Sequence, residues 1–328
     1  MTDVLDEPTL VRTGRPGPAT RSIISIDDLT DRDLFDLVAR GVEFGAGAAS
    51  RALAGAVTGV YFAKPSTRTR TAFSAGALRL GSGLIAYGPG DLQLTTGETD
   101  EDTGRVLAGM LDTLVMRTAG DESVMRSYAE PGGMSVVNAM SAQEHPTQAL
   151  CDLSTLQEHF GALAGLRVLY VGEGNNTASA LALALMRCPG VSLDLRTPPG
   201  YGLSADFRRR AGAQAGRCGA QLRERHDMLE LPAELDVIYT TRWQTTGSSK
   251  HTSDWRQVFH PFRVDTPLLA AYPGAVFLHD LPAHRGEEVD GAVLDGPASL
   301  AFRQAHMKMY SAMAVLEWCA TGARGGSS

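Results

Sequence analysis

The sequence has no run of about 18 apolar residues, so no membrane span is expected. Its four cysteines lie far apart and form no C-x-x-C pair, which indicates reduced thiols rather than a disulfide framework or a metal cage. Basic blocks are absent and the net charge is −7, so nucleic acid is not expected as the main partner. The N-terminus lacks the basic and then apolar order of a signal peptide, and we predict a cytoplasmic protein.

The chain is long enough, at 328 residues, for two domains with buried cores. Short apolar runs alternate with segments of helical spacing, which predicts an α/β fold with parallel sheets and right-handed crossovers. We therefore expect two doubly wound parallel-sheet domains joined by interdomain helices. The predicted divisions are a disordered tail (1–20), a first domain (21–150), a second domain (151–298) and a last helix (299–322) that packs back on the first domain.

One segment, residues 64–70, concentrates hydroxyl and guanidinium groups directly after an apolar run at 57–63. A strand that ends where a helix begins leaves backbone N–H groups free to bind an anion. Ser66, Thr67 and Thr69 add hydroxyl donors, and Arg68 adds a planar fork suited to phosphate oxygens. Since the Walker motif G-x-x-x-x-G-K-[ST] is absent, the pattern predicts a small phosphate ligand rather than a nucleoside triphosphate.

Further polar clusters follow other predicted strands, where ligands of such sheets bind. These clusters are Arg117, residues 145–148, residues 175–176, residues 241–247 and residues 279–285. Residues 88–101 are rich in Gly, Thr and acids and are predicted to form a mobile functional loop.

Three motifs are specific to one family: Lys-Pro-Ser-Thr-Arg-Thr-Arg at 64–70, His-Pro-Thr-Gln at 145–148 and Leu-Pro-Ala-His-Arg-Gly-Glu-Glu-Val at 281–289. Over about residues 21–319 the sequence resembles the aspartate/ornithine carbamoyltransferase family, and its ornithine branch more closely. The resemblance implies that carbamoyl phosphate and a small amine are the substrates, that no metal or organic cofactor is needed, and that a homotrimer shares its sites between subunits.

Residue by residue, the resemblance assigns the phosphate to Ser66, Thr67, Arg68 and Thr69. Arg117, His145 and Gln148 would hold the carbamoyl end, with Leu281 and Lys308 beside it. Gln93 resembles a residue that reaches into the site of the neighbouring subunit. Arg68, Arg117 and His145 are donors suited to stabilising an oxyanion and a departing phosphate, and with Asp280 they form the predicted catalytic set.

The acceptor side departs from the ornithine branch. Thr241 stands where that branch has Asp, Thr245 and Thr246 replace its Ser-Met pair, and Asp280 replaces its Cys. We expect Asp280 to orient the attacking amine rather than act as a full base, because aspartate is a weak base. Arg242 and Gln244 resemble the carboxylate-binding pair of the aspartate branch, and Asn176 matches an asparagine that contacts ornithine. Lys308 is a further departure, because it stands where Arg is usual.

These departures lead us to prefer an amine other than ornithine, such as a diamino acid, its derivative or a precursor of a specialised metabolite. The alternatives are ornithine carbamoylation for arginine biosynthesis, a carbamoyltransferase-like protein that binds without turnover, and an NAD(P)-dependent oxidoreductase. The last alternative rests on Gly172-x-Gly174 after a predicted strand, but Thr177 replaces the third glycine and Arg196, not an acid, ends the next strand.

Overall fold

The computed structural model describes residues 20–92, 97–244, 250 and 253–321. Its two sheets are parallel throughout, as the sequence predicts. The first sheet consists of β1 (Val57–Phe62), β2 (Gly83–Tyr87), β3 (Thr113–Arg117) and β4 (Ser135–Asn138). The second consists of β5 (Arg167–Val171), β6 (Ser192–Arg196), β7 (Gln221–Arg225), β8 (Val237–Thr240) and β9 (Val276–His279).

The helices alternate with these strands. In the first half they are α1 (Asp31–Gly45), α2 (Arg68–Arg79), α3 (Asp100–Ala108), α4 (Glu122–Ala129) and α5 (Pro146–Phe160). In the second half they are α6 (Asn176–Leu185), α7 (Ala205–Cys218), α8 (Trp255–Phe259), α9 (Thr266–Ala270), α10 (Gly291–Leu294) and α11 (Ala301–Thr321). None of these described helices is both long enough and apolar enough to cross a bilayer.

Each sheet reverses its strand order at one point. The first runs β2-β1-β3-β4 and the second runs β7-β6-β5-β8-β9, so the reversals lie between β1 and β3 and between β5 and β8. At such a point the chain leaves two neighbouring strands in opposite directions, and a crevice opens beyond their carboxyl ends. The register places Phe62 beside Arg117 in the first sheet, and Val171 beside Thr240 in the second.

Two long helices join the halves of the molecule. Helix α5 packs against α1, α6 and α11, and α11 packs against α1, α2 and α5. Because α5 is covered from several sides, it is buried from Pro146 to Leu156 rather than along a single stripe. Full burial of a leucine contributes about 1.5–3 kcal/mol, so Leu150, Leu153 and Leu156 fix the helix firmly between the sheets.

The structure adds elements that the sequence patterns do not reveal. Strand β7 reads Gln-Leu-Arg-Glu-Arg and lies at the sheet edge, so it lacks the apolar pattern of a buried strand. Its Arg223 is exposed, whereas the carboxylate of Glu224 is buried and accepts from the Thr197 hydroxyl and the Leu203 backbone N–H. Gly174, in the turn between β5 and α6, lies close to the backbone of residue 201, and its N–H donates to the carbonyl oxygen of Tyr201 over 2.7 Å. This contact holds the turn between β5 and α6 against residues 201–203.

Candidate active site

A cavity of about 230 Å³ lies between the carboxyl ends of the two sheets. The first sheet contributes the segment after β1, the end of β3 and the segment from β4 to α5. The second contributes the segments after β5, β8 and β9, and α11 closes the cavity with one side chain. Its lining consists of Pro65, Ser66, Thr67, Arg68, Thr69, Arg117, Met140, His145, Gln148, Asn175, Asn176, Thr177, Thr241, Arg242, Gln244, Asp280, Leu281, Pro282 and Lys308.

Three helices begin at this cavity, and only α6 has a side-chain cap, supplied by Asn175. Thr67 is the N-cap of α2 and His145 is the N-cap of α5, and neither side chain caps its helix with a hydrogen bond. The first backbone N–H groups of a helix carry partial positive charge, and without a side-chain cap they remain available to an external acceptor. Both helices therefore favour an anion in the cavity.

Three cationic side chains lie at the same place without a carboxylate ion-pair partner among the described residues: Arg68, Arg117 and Lys308. Burial lowers the pKa of each of them, that of Arg117 to about 10. The Nε atom of Arg117 is buried and has no hydrogen-bond partner within the described residues. Arg117 and Lys308 are buried and Arg68 is half-buried. Cations withdrawn from water without a counter-charge are costly, so the arrangement is suited to an anionic ligand that pairs with them.

His145 is buried beside these cations. Burial, together with the charges of Lys308 and Arg117, holds the pKa of its imidazole well below the usual range, so the ring is neutral at neutral pH. Its Nδ1 lies 3.3 Å from the Thr147 hydroxyl. A neutral imidazole can donate one hydrogen bond, and near a carbonyl oxygen it would act as an uncharged donor.

Asp280 is the one carboxylate in the described lining of the cavity. Its Oδ2 accepts a hydrogen bond from the Thr177 hydroxyl over 3.0 Å, which orients the carboxylate. Nδ1 of the neighbouring His279 lies 3.5 Å from Oδ1 of Asp280, but it accepts from the backbone N–H of Leu281 over 2.8 Å, while Nε2 of His279 faces Glu288. Asp280 also counteracts the burial effect on the pKa of Arg68 and of Arg117. A negative group thus stands among three positive ones.

In the segment after β8, Thr241 has its hydrogen-bond partners within the protein. Its hydroxyl lies 3.0 Å from the hydroxyl of Tyr170 and 3.0 Å from Nδ2 of Asn175, which donates to it. Arg242 instead keeps most of its guanidinium free for other partners, since its Nε donates to the carbonyl oxygen of Gln244 over 2.8 Å and it forms no ion pair with a described residue. The local charge at this end of the cavity is therefore positive.

Asn176 connects the two halves of the site. Its Nδ2 donates to the carbonyl oxygen of Ser141 over 2.8 Å, and its own carbonyl oxygen accepts from the backbone N–H of His145 over 3.1 Å. The turn after β5 and the start of α5 are held together by these bonds.

The structure brings together fourteen of the side chains singled out from the sequence, all of which line the cavity. Gln93, Thr245 and Thr246 lie outside the described residues. Sequence reasoning did not assign five lining residues: Pro65, Met140, Asn175, Thr177 and Pro282. Asn175 belongs to the polar cluster at 175–176 that the sequence already indicates, although no role was assigned to it, and Thr177 directly follows that cluster. Met140 has a φ of 140°, a conformation that nothing in the local sequence announces.

Arg196 has a structural role that opposes the nicotinamide interpretation. It is completely buried, pairs with Asp194, and donates to the carbonyl oxygens of Leu229 and Glu230. All of these contacts are internal to the protein, so the side chain is not directed at a ribose. For a metal, the best-grouped ligand atoms among the described residues belong to His284, Glu287 and Glu288, which lie outside the cavity lining.

Comparison with known proteins gives consistent matches over both halves. The model of the aspartate/ornithine carbamoyltransferase carbamoyl-P binding domain matches residues 21–158, and that of the Asp/Orn binding domain matches residues 164–319. The chain is 36% identical to an ornithine carbamoyltransferase of Gloeobacter violaceus, over 90% of this chain and 94% of the relative. It is 40% identical to one of a Parafrankia species, over 82% and 85%. Among solved structures, the ornithine carbamoyltransferase of Pyrococcus furiosus is similar with a TM-score of 0.86 and 33% identity, over 94% of this chain and 99% of that one.

Proposed function

Since this chain belongs to the aspartate/ornithine carbamoyltransferase family, it is an enzyme that transfers a carbamoyl group, and we propose that it transfers this group from carbamoyl phosphate to the side-chain amine of ornithine. The observation that carries the donor assignment is a set of three cations, the half-buried Arg68 and the buried Arg117 and Lys308, beside two helix N-termini that lack side-chain caps. Such a cavity is suited to a small dianion.

We assign the phosphate of the donor to residues 66–69 at the start of α2, where backbone N–H groups, hydroxyls and the Arg68 fork converge. The carbamoyl end then faces Arg117, His145 and Gln148, with Leu281 and Lys308 completing its surroundings. On this assignment the first domain, to about residue 150, binds the donor, and residues 151–298 bind the acceptor. As in the resemblance, we propose a homotrimer in which Gln93 contributes to the site of a neighbouring subunit.

The reaction follows from these positions. The amine, once neutral, attacks the carbamoyl carbon and forms the new C–N bond, while negative charge develops on the carbamoyl oxygen. Arg117 and neutral His145 donate hydrogen bonds to that oxygen, where a single such donor contributes about 2.7–4 kcal/mol to lowering the barrier. The C–O bond to phosphate then breaks, its electron pair leaves with the phosphate, and Arg68 pairs with the added charge. The proton released by the amine passes to the departing phosphate or to solvent.

The names of the relatives favour ornithine as the acceptor over the different amine that the sequence departures suggested. Within the cavity, Asp280 supports a cationic amine by charge, and Arg242 supports a carboxylate. Both groups are present on ornithine. A second candidate, another amine that carries a carboxylate, is favoured by one observation: the Thr241 hydroxyl already has protein partners and offers no charge to an α-amino group.

A panel of amines tests both candidates. The enzyme is incubated with carbamoyl phosphate and each amine, and phosphate release gives kcat/KM. Ornithine as the best acceptor supports the proposal, and a clearly better amine replaces ornithine with the second candidate. Binding of carbamoyl phosphate without turnover on any amine would contradict transfer in this chain.

The donor assignment has a separate test in Arg68→Ala. We expect it to weaken the binding of carbamoyl phosphate, measured by calorimetry, about ten- to one-hundred-fold, because a charge-assisted contact is lost. Arg79→Ala, at the exposed far end of the same helix, is the matched control and should bind normally. Unchanged affinity in Arg68→Ala would overturn the assignment.

A further inference from the structure

Behind the cavity, five buried side chains form a connected polar group, the Asp152 network: Asp152, Gln148, Gln304, Tyr239 and Lys308. Gln148 and Asp152 are one turn apart on α5, and Gln304 and Lys308 are one turn apart on α11. Since residues four apart share a helix face, the two pairs meet across the helix contact, Gln148 with Lys308 and Asp152 with Gln304.

Asp152 is completely buried and accepts three hydrogen bonds. Nε2 of Gln148 donates to its Oδ1 over 2.7 Å, and Nε2 of Gln304 donates to the same oxygen over 2.6 Å. The hydroxyl of Tyr239 donates to Oδ2 over 2.8 Å. The carboxyl group thus ties together helix α5, helix α11 and strand β8.

These bonds determine which way the Gln148 amide faces. Its nitrogen is directed at Asp152, and its oxygen accepts from the ammonium of Lys308 at the cavity. A turned amide would place an N–H group against an ammonium and an oxygen against a carboxylate, so the observed orientation is strongly preferred. Gln148 therefore presents an acceptor, not a donor, to a ligand in the cavity.

We infer that Asp152 is a positioning residue that makes the site select a carbamoyl donor over an acyl donor, by holding the Gln148 oxygen toward the NH₂ group of the donor. This inference rests on the proposed function, in which Gln148 faces the carbamoyl end. Acetyl phosphate has a methyl group in place of that NH₂ and cannot donate a hydrogen bond there. It would leave unused the second acceptor position of the Gln148 oxygen, the first being occupied by Lys308, and a polar site penalises such a loss.

The orientation does not depend on the charge of Asp152. Burial raises the pKa of its carboxyl to about 7, so both protonation states occur near neutral pH. Because two amide nitrogens donate to Oδ1, a proton would reside on Oδ2 beside the Tyr239 hydroxyl, which can turn to accept it. Asparagine can reproduce this neutral arrangement, with its oxygen toward Gln148 and its nitrogen toward Tyr239.

The test compares the Kd of carbamoyl phosphate with that of acetyl phosphate, by calorimetry, in the wild type and in variants. We expect the wild type to prefer carbamoyl phosphate at least about ten-fold. Asp152→Ala removes one of the two contacts that orient the Gln148 amide and leaves only that with Lys308, so the preference should fall by a measurable factor, about three-fold or more. If this variant does not fold, Asp152→Val fills the space with carbon and offers no acceptor either. Asp152→Asn should keep most of the preference.

Tyr239→Phe is the matched control, since it removes another bond to Asp152 but leaves the Gln148 bond in place. A merely structural Asp152 would lower thermal stability and weaken both ligands equally in all variants, and that result would overturn the inference. An unaltered preference in both Asp152→Ala and Asp152→Val would also overturn it, while the donor assignment would stand. A wild type that fails to bind carbamoyl phosphate would instead contradict the proposed function itself.

Discussion

Replacing Asp280 with asparagine should affect the two substrates in opposite directions. The side chain keeps nearly the same shape, and its remaining oxygen can still accept from the Thr177 hydroxyl, now 3.0 Å away. Only the negative charge among Arg68, Arg117 and Lys308 is lost. A dianionic donor then meets a more positive cavity, whereas a cationic amine loses its one opposite charge.

The size of the effect follows from Coulomb's law. At about 5–8 Å and an effective dielectric constant of about 20, one pair of unit charges interacts by roughly 2–3 kcal/mol. Water in the open cavity reduces this value, so we expect the Kd of carbamoyl phosphate to fall and the KM of the amine to rise by at least about ten-fold each. Calorimetry with carbamoyl phosphate should show a lower Kd for Asp280→Asn. Steady-state kinetics at saturating donor should show a higher KM for the amine and a lower kcat.

Glu130→Gln provides the control for net charge alone. Glu130 is an exposed residue at the end of α4, away from the cavity, and its removal changes the total charge equally. We expect changes below about two-fold for both substrates, because solvent and salt screen so exposed a group. Should Asp280→Asn shift both substrates in the same direction, or neither, the placement of Asp280 between donor and amine is refuted.

Two further predictions concern the frame of the site. In Gly174→Ala the new Cβ would lie 2.3 Å from the backbone N of Leu203 and 2.4 Å from the carbonyl carbon of Gly202, so the turn must move. Urea denaturation should show that the free energy of unfolding falls by about 1–3 kcal/mol, and kinetics should show a raised KM for the acceptor. The control Gly212→Ala has open space around the new Cβ and should not destabilise the protein. For Glu144, burial raises the pKa from 4.5 to about 7, so the folded state holds the proton more tightly and stability falls as pH rises from about 4.5 to 7. Glu144→Gln has no titrating group at this position, so its free energy of unfolding relative to wild type should increase by up to about 3 kcal/mol between pH 4.5 and 8. A difference between the two proteins that does not change with pH would contradict the reasoning.

The parallel two-sheet fold could be predicted because buried parallel strands leave a strong signal, an apolar run followed by polar residues. The bounds at 167–171 and 237–240 follow directly from such runs. The predicted boundary at 150 falls within α5, which no composition change marks since this helix runs continuously through the core. Strand β7 was not predicted because it lacks an apolar run, and helices α4 and α7 were not predicted because each is short of buried residues: two in α4 and three in α7.

Within the site, motif residues were predictable and their supporting contacts were not. Asp152 and Gln304 lie 152 positions apart in the chain, and local spacing cannot show that they meet. Likewise, Thr241 was expected to mark a missing charge, but only the structure shows that Tyr170 and Asn175 occupy its hydroxyl. Long-range partners of this kind decide whether a polar side chain serves a ligand or the protein interior.

The reversal of strand order in each sheet also has an evolutionary consequence. On the proposed assignment, the phosphate of the donor is bound beside the reversal in the first sheet and the acceptor beside the reversal in the second, and separate stretches of the gene encode the two. Substitutions directly after β8, at Thr241 and Arg242, would then change which amine is accepted and leave the phosphate-binding start of α2 unaltered. On this proposal the two sheets can change their ligand preferences independently.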